Sequence, residues 1–219
     1  MLPSSLANNM LLLFIKDNKF IAHHGIQRSG TNYLNECLWS CGIFPLNSFN
    51  EKRNSPKHKH FRWYVDKELI PDILRNNYNN NVQVNNIYEL NDIAGYPKDC
   101  SHIVIKRKKE DWLVSFLNYY LHYGWFPTQE DALHCVDQIL IDFNNYYQFW
   151  ESMQEEHPSK VNVITYEAIL NDFRTFLKSL STLNIKPNCR NFDGKIMHVP
   201  MSNKTKRKIL HISDLESYF

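Results

Sequence analysis

Two of the six glycines bracket a short segment that could bind an anion. Gly25 and Gly30 enclose Arg28 and Ser29, and an apolar run with helical spacing follows at once in HHGIQRSGTNYLNECL, residues 23–38. A glycine turn at the start of a helix directs backbone N–H groups toward an anion. The sequence therefore predicts an anion-binding loop here.

The loop departs from the common nucleotide-binding pattern GxxxxGK[ST]. Gly25 and Gly30 have the required separation, but Thr31 and Asn32 follow where that pattern has Lys and Ser or Thr. The lysine that contacts the nucleotide and the hydroxyl that binds magnesium are therefore missing at those places. A different cation, Arg28, stands inside the loop.

A second segment, IVIKRKKEDWLVSFLNYY at 103–120, also has the residues of an anion site. Arg107 ends a β-branched run, and Ser115 lies eight residues later, two turns into the predicted helix, on the face that turns back toward Arg107. The simpler alternative is a solvated charge run followed by a neutral helical serine.

Between these two segments, SPKHKHFRWY at 55–64 contains two histidines that could accept a proton. In a strand, His58 and His60 would share one face, and either needs only a modest pKa adjustment to accept a proton near neutral pH. We take His60 as the first choice and His58 as the second, with Glu51 in reserve. A basic loop without a catalytic histidine is the alternative.

Three stretches together resemble the sulfotransferases that use 3′-phosphoadenosine 5′-phosphosulfate (PAPS). The first stretch, QRSGTNYL at 27–34, resembles their 5′-phosphosulfate loop. The second contains Arg107 and Ser115, which resemble their 3′-phosphate site, with Asp111 where the family commonly has Asp. The third, VNVITYEAIL at 161–170, is similar to their strand followed by Tyr-Glu.

The resemblance implies PAPS as co-substrate, PAP (3′-phosphoadenosine 5′-phosphate) as product, no metal requirement, and Arg28 acting on the bridging oxygen as a catalytic group. The binding residues that it implies are Gln27, Arg28, Ser29, Gly30, Thr31, Asn32, Tyr33, Arg107, Ser115 and Tyr166.

Two features depart from the family pattern. Neither Lys57 nor Lys59 has a histidine two positions later, as the cytosolic members have, and the C-terminal Arg-Lys-Gly element is absent in that form. Lys204, Lys206 or Arg207 in SNKTKRK could replace that element at the 3′-phosphate, or the stretch could be an ordinary basic tail.

Strands alternate with helices along the chain, which predicts a single α/β domain over 1–219. We expect three α/β/α layers around a central parallel sheet, like a P-loop NTPase. Both anion segments follow predicted strands, and ligands of such sheets bind at the carboxyl ends of the strands.

Composition narrows the function. A net charge of +2 argues against a general nucleic-acid binder. The five cysteines show no pairing pattern and favour a reducing, cytoplasmic location. The apolar run MLLLFI is too short to span a membrane.

The expected partner is a small-molecule or glycan acceptor, with a carbohydrate hydroxyl favoured. A small-molecule or nucleoside kinase and a non-catalytic nucleotide-binding protein are the alternatives, and the oligomeric state is not predicted.

Overall fold

A computed structural model describes residues 19–47, 51–52, 54–63, 82–188 and 210–219. Three parallel strands form the sheet within this part of the chain: β1 Ile21–His24, β2 Ser101–Lys106 and β3 Val161–Thr165, with β2 in the centre. His24 at the end of β1 pairs with Val104, so β2 continues two residues beyond β1, as far as Lys106 opposite Thr165. The segments that follow β1 and β2 therefore leave the sheet at the same edge.

The helices connect these strands. They are α1 Thr31–Ser40, α2 Ile87–Ala94, α3 Lys109–His122, α4 Gln129–His134, α5 Val136–Glu156, α6 Tyr166–Asn171, α7 Phe173–Thr182 and a C-terminal 3₁₀ helix Ile212–Tyr218.

Each face of the sheet carries its own apolar core, because side chains alternate along a strand. On one face, Ala22, Val104 and Val161 pack with residues of α2, α3 and α5. On the other, Ile21, Ile103, Ile105 and Ile164 pack with residues of α1, α6 and α7. The predicted three-layer α/β/α architecture with a parallel sheet is confirmed.

Capping residues explain most helix limits. Thr128 begins α4 with a capping box, in which its hydroxyl accepts from the Asp131 backbone N–H and the Asp131 carboxylate accepts from the Thr128 backbone N–H. The sequence YEAILNDFRTFLKSLSTLNI at 166–185 predicts one continuous helix, and this prediction is wrong. The helix breaks at Asp172, whose side chain accepts from the Arg174 N–H at 3.0 Å and starts α7.

The apolar run MLLLFI at 10–15 predicts a strand, and KELIPDILRNNY at 67–78 predicts a helix; both segments lie outside the described residues. Within the described ranges, none of the helices combines the length and the apolar character that a bilayer crossing requires.

Candidate anion-binding site

The loop between β1 and α1 is a tight turn with two residues in left-handed conformations. Arg28 has φ 72° and Gly30 has φ 103°, and the Ser29 N–H donates to the Ile26 carbonyl at 3.1 Å. A non-glycine residue with positive φ costs about 1 kcal/mol or more and is frequent at functional sites. The loop thus keeps a strained arginine at the edge of the sheet.

Neighbouring side chains leave no room for a Cβ atom at either glycine of the loop. A Cβ at Gly25 would lie 2.5 Å from Ser29 Oγ, and a Cβ at Gly30 would lie 2.6 Å from Cδ2 of the Tyr166 ring. Gly30 is also the N-cap of α1, and no side chain caps that helix. The first N–H groups of α1 therefore lack both intrahelical and side-chain partners, which is the arrangement that binds anions.

Arg28 points toward α3. Its Nε donates to Ser115 Oγ at 3.2 Å, and its guanidinium lies over the Tyr119 ring, 4.9 Å from the centroid. Burial lowers the pKa of Arg28, and the nearby charge of Arg107 lowers it further. The structure thus brings Arg28, Ser115 and Arg107 together, although 87 residues separate Arg28 from Ser115.

Arg107 follows the end of β2 and lies over the Tyr166 ring, 5.5 Å from the centroid. Its Nε is buried and has no hydrogen-bond partner among the residues that the structure describes. Within the described residues, neither Arg107 nor Arg28 forms an ion pair with a carboxylate. Two neighbouring guanidinium groups without an acidic partner favour binding of an anion, since a bound anion would offset both desolvation and mutual repulsion.

The other predicted loop residues differ in accessibility. Gln27 is buried, its side chain bonds to the Tyr120 hydroxyl, and its carbonyl accepts from Trp112 Nε1 at 2.7 Å. Its side chain therefore fixes the loop on α3. Asn32 is exposed and accepts from Lys59 Nζ at 2.5 Å.

Ser29, Thr31 and Tyr33 are buried behind the loop. Tyr33 meets the Tyr166 ring edge-on, with 5.4 Å between the ring centroids. The two tyrosines and Gly30 therefore form one contact cluster next to Arg107.

The segment around His58 and His60 is not the strand expected from the sequence. Successive turns replace it, because the His58 N–H donates to the Ser55 carbonyl and the Phe61 N–H donates to the His58 carbonyl. The two imidazole rings do not share a strand face but meet edge-on, with 5.1 Å between their centroids.

Hydrogen bonds distinguish the two histidines. His60 Nδ1 lies 2.6 Å from the Gly25 carbonyl, which only accepts, so Nδ1 carries the proton and Nε2 keeps its lone pair. His58 Nδ1 instead accepts from the His60 backbone N–H at 3.1 Å, which leaves its proton on Nε2. Burial holds the pKa of His60 well below its ordinary value, and the charges of His58, Lys59 and Arg62 act in the same direction. His60 is thus a neutral imidazole with an acceptor nitrogen, and the modest pKa adjustment expected from the sequence is wrong, because burial makes this imidazole a weaker base than an exposed one.

His23 and His24 are fully buried within the fold. His23 pairs with Asn47, whereas His24 contacts His102 at 3.0 Å and stacks on Trp150. These positions identify them as packing residues beneath the loop. Glu51, the reserve candidate for the base, is exposed.

Two residues near the site carry no signal in the sequence analysis. Arg62 is completely buried, bonds to Asp142 of α5 and donates to the His60 carbonyl. The two residues are 80 positions apart in the sequence, so no local pattern reveals the pair.

The candidates Lys204, Lys206 and Arg207 lie outside the described residues. Among the residues that the structure describes, no cluster of three or more His, Cys, Asp or Glu side chains could hold a metal ion.

The comparisons with known proteins find one kind of likeness. No protein-family model matches the chain, and no curated protein matches it. The solved structures that match include the mouse sulfotransferase SULT7A1 in complex with PAP, at 22% identity and a TM-score of 0.47, covering 76% of this chain. This chain spans 58% of the length of that structure. At this level of similarity the likeness assigns no role to any residue of this chain.

Proposed function

We propose that this protein is a PAPS-dependent sulfotransferase, which moves a sulfuryl group from PAPS to an acceptor hydroxyl. One observation carries the proposal: Arg28 and Arg107, neither of them paired with a described carboxylate, converge with Ser115 beside the uncapped start of α1. A ligand with phosphate groups at two separate positions would satisfy this arrangement.

The parts of such a ligand correspond to different parts of the site. The N–H groups at the start of α1 and the Arg28 guanidinium would bind the 5′-phosphosulfate. Arg107, with its unpartnered Nε, and Ser115 would bind the 3′-phosphate. Tyr166, which already supports Gly30 and Arg107, would contact the adenine together with Tyr33.

The transfer needs a proton acceptor and a group that stabilises the leaving oxygen. The acceptor hydroxyl gives its proton to His60 Nε2 while its oxygen forms a bond to sulfur. The bond between sulfur and the 5′-phosphate oxygen breaks, and its electron pair stays on that oxygen, where Arg28 stabilises the charge as PAP leaves. Positioning and electrostatics supply the catalysis, as in phosphoryl transfer.

The histidine assignment rests on protonation sites. His60 is favoured over His58 as the base because its Nδ1–H donates to Gly25, which leaves Nε2 able to accept a proton. A hydroxyl is the acceptor that requires such a base. Carbohydrate hydroxyls are the first acceptors to test, with phenols beside them.

Calorimetric titration with PAP, ADP and ATP, each with and without Mg²⁺, tests the donor site. We expect PAP to bind without metal and more tightly than ADP or ATP, and Arg107→Ala to weaken PAP binding about 10- to 100-fold, as the loss of a charge-assisted contact predicts. Lys108→Ala is the matched control, since it removes the same charge from the next residue, which is exposed.

Transfer of ³⁵S from labelled PAPS to a panel of sugars and phenols then tests the reaction. A preference for ATP with Mg²⁺ would contradict the proposal and favour a kinase. Binding of PAP without transfer to any acceptor would favour a non-catalytic nucleotide-binding protein.

A further inference from the structure

We propose that the buried ion pair of Arg62 and Asp142 is a positioning device, which presses the His60 turn against the anion-binding loop and fixes the protonation site of the imidazole. This inference rests on the proposed function for its catalytic consequence. Its structural part concerns the hydrogen-bond state of His60 alone and is testable without any substrate.

The ion pair has the geometry of a strong contact. Arg62 Nε lies 3.1 Å from Asp142 Oδ1 and Nη2 lies 2.7 Å from Oδ2, so the two groups form a two-pronged pair. Arg62 is 0% exposed and Asp142 is 6% exposed. The guanidinium also lies over the Tyr146 ring, 5.2 Å from the centroid. Asp142 and Tyr146 both belong to α5, so the helix fixes the orientation of the guanidinium.

The third arm of Arg62 reaches the histidine segment. Nη1 donates to the His60 backbone carbonyl at 2.7 Å. On its other side, the segment bonds to Gly25 twice, because the Gly25 N–H donates to the Lys59 carbonyl at 3.1 Å and His60 Nδ1 donates to the Gly25 carbonyl at 2.6 Å. A continuous series of contacts therefore runs from Asp142 through Arg62 and His60 to the loop.

Stability alone does not account well for this pair. Apolar side chains of similar size in place of a buried ion pair are often neutral or stabilising, because burial of two charges is costly. Apolar side chains could not donate to the His60 carbonyl. The feature that only the ion pair supplies is a directed N–H group, aimed at the backbone of the residue that we assign as the base.

The surroundings of His60 make this directed contact important. His58 and Lys59 lower the pKa of His60, and His60 in turn lowers the pKa of His24. Arg62 is paired with Asp142, but its charge also lowers the pKa of His60, so the positioning contact is made within a basic group of residues.

The test replaces the pair and follows His60 by NMR. The double variant Arg62→Met/Asp142→Leu removes both charges and keeps the volume, so we expect it to fold. Long-range ¹H–¹⁵N spectra of the imidazole report which ring nitrogen carries the proton. We expect a single Nδ1–H form of His60 in the native protein and a mixture of the two forms in the double variant.

Kinetics supply the second readout. Loss of the positioning contact should lower kcat for sulfuryl transfer about 100-fold, while PAP affinity stays within about twofold, because small misplacements of a reacting group have effects of this size. Lys106→Gln/Glu151→Gln is the matched control: it removes a half-exposed ion pair between β2 and α5 that does not contact His60. It should leave both readouts unchanged.

The outcomes separate the two proposals. An unchanged Nδ1–H form in the double variant, or an unchanged kcat, would overturn the positioning role whatever the ligand of the site. Failure of the native protein to bind PAP would refute the proposed function, and the NMR readout would still decide the structural part. If the double variant does not fold, Arg62→Lys keeps the charge but lacks the rigid planar fork that holds Asp142 and the His60 carbonyl together, and the same spectra decide.

Discussion

Acid should destabilise this protein between pH 7 and pH 5, because several histidines are buried as neutral groups under the anion-binding loop. Burial lowers the pKa of His23 to about 3 and that of His102 to about 3. The pKa of His24, which bonds to His102, is lowered in the same way. His102 Nε2 donates to Asn91 Oδ1 at 2.8 Å, so the buried contacts suit neutral rings.

The sign and size of the effect follow from linkage. The folded-state pKa is depressed below the unfolded value of about 6.5, so the stability is fully present above that value and is lost as pH falls toward the folded-state pKa. From pH 7 to pH 5, the unfolded chain gains about 0.7 proton at each site and the folded chain gains almost none. The free energy of unfolding falls by about 2 kcal/mol for each histidine, or about 4 kcal/mol for His23 and His102 together. A typical domain has only about 5–15 kcal/mol in total.

Urea unfolding at pH 7, 6 and 5, followed by tryptophan fluorescence, measures this quantity. His102→Gln removes one titrating ring and should reduce the loss between pH 7 and 5 by about 2 kcal/mol. His134→Gln is the control, because His134 is exposed on α4 and should leave the loss unchanged. The reasoning is refuted if the native protein loses less than about 1 kcal/mol over this range, or if the two variants show the same pH dependence.

Further predictions concern the loop and the helix caps. Arg28→Ala should lower kcat about 100- to 1,000-fold at saturating PAPS, measured as PAP formation; a change confined to KM would exclude a role in the transition state. Gly30→Ala and Gly124→Ala each place an alanine at positive φ, which should lower the unfolding free energy by about 1–2 kcal/mol. Only the first variant would also clash with the Tyr166 ring. Calorimetry should therefore show weaker PAP binding for Gly30→Ala alone, and equal affinities would contradict the fit. Thr128→Ala should lower the unfolding free energy by about 1 kcal/mol, as read from urea curves, without changing PAP affinity.

Local patterns were sufficient for the sheet and most helices. The β-branched run of β2 and the apolar spacing of α1 and α3 depend on neighbours in sequence, and these elements lie where the patterns predict them. The turn at Gly25 and Gly30 was also predictable, because a tight turn between a strand and a helix leaves no room for a side chain at these two positions. The break at Asp172 was missed since an aspartate within a helical pattern becomes a cap only when the chain changes direction.

The contacts that define the site chemically were not predictable in this way. KHKHF alternates as a strand would, but consecutive turns are stabilised there by backbone bonds to Ser55 and His58 and by the ion pair from Arg62 to Asp142. That pair joins residues 80 positions apart. A buried arginine and a helical aspartate look like surface residues until the fold brings them together.

The choice between His58 and His60 shows why composition alone cannot identify a base. Both are histidines in the same basic segment, and sequence ranks them only by preference. Their difference arises from two backbone groups, the Gly25 carbonyl that accepts from His60 and the His60 N–H that donates to His58. Backbone groups are the same in every residue, so only the path of the chain decides which imidazole nitrogen keeps a lone pair. The proposed role of His60 as the base therefore depends on the turn, and we expect a substitution that changes the turn without touching the histidine to impair proton transfer as well.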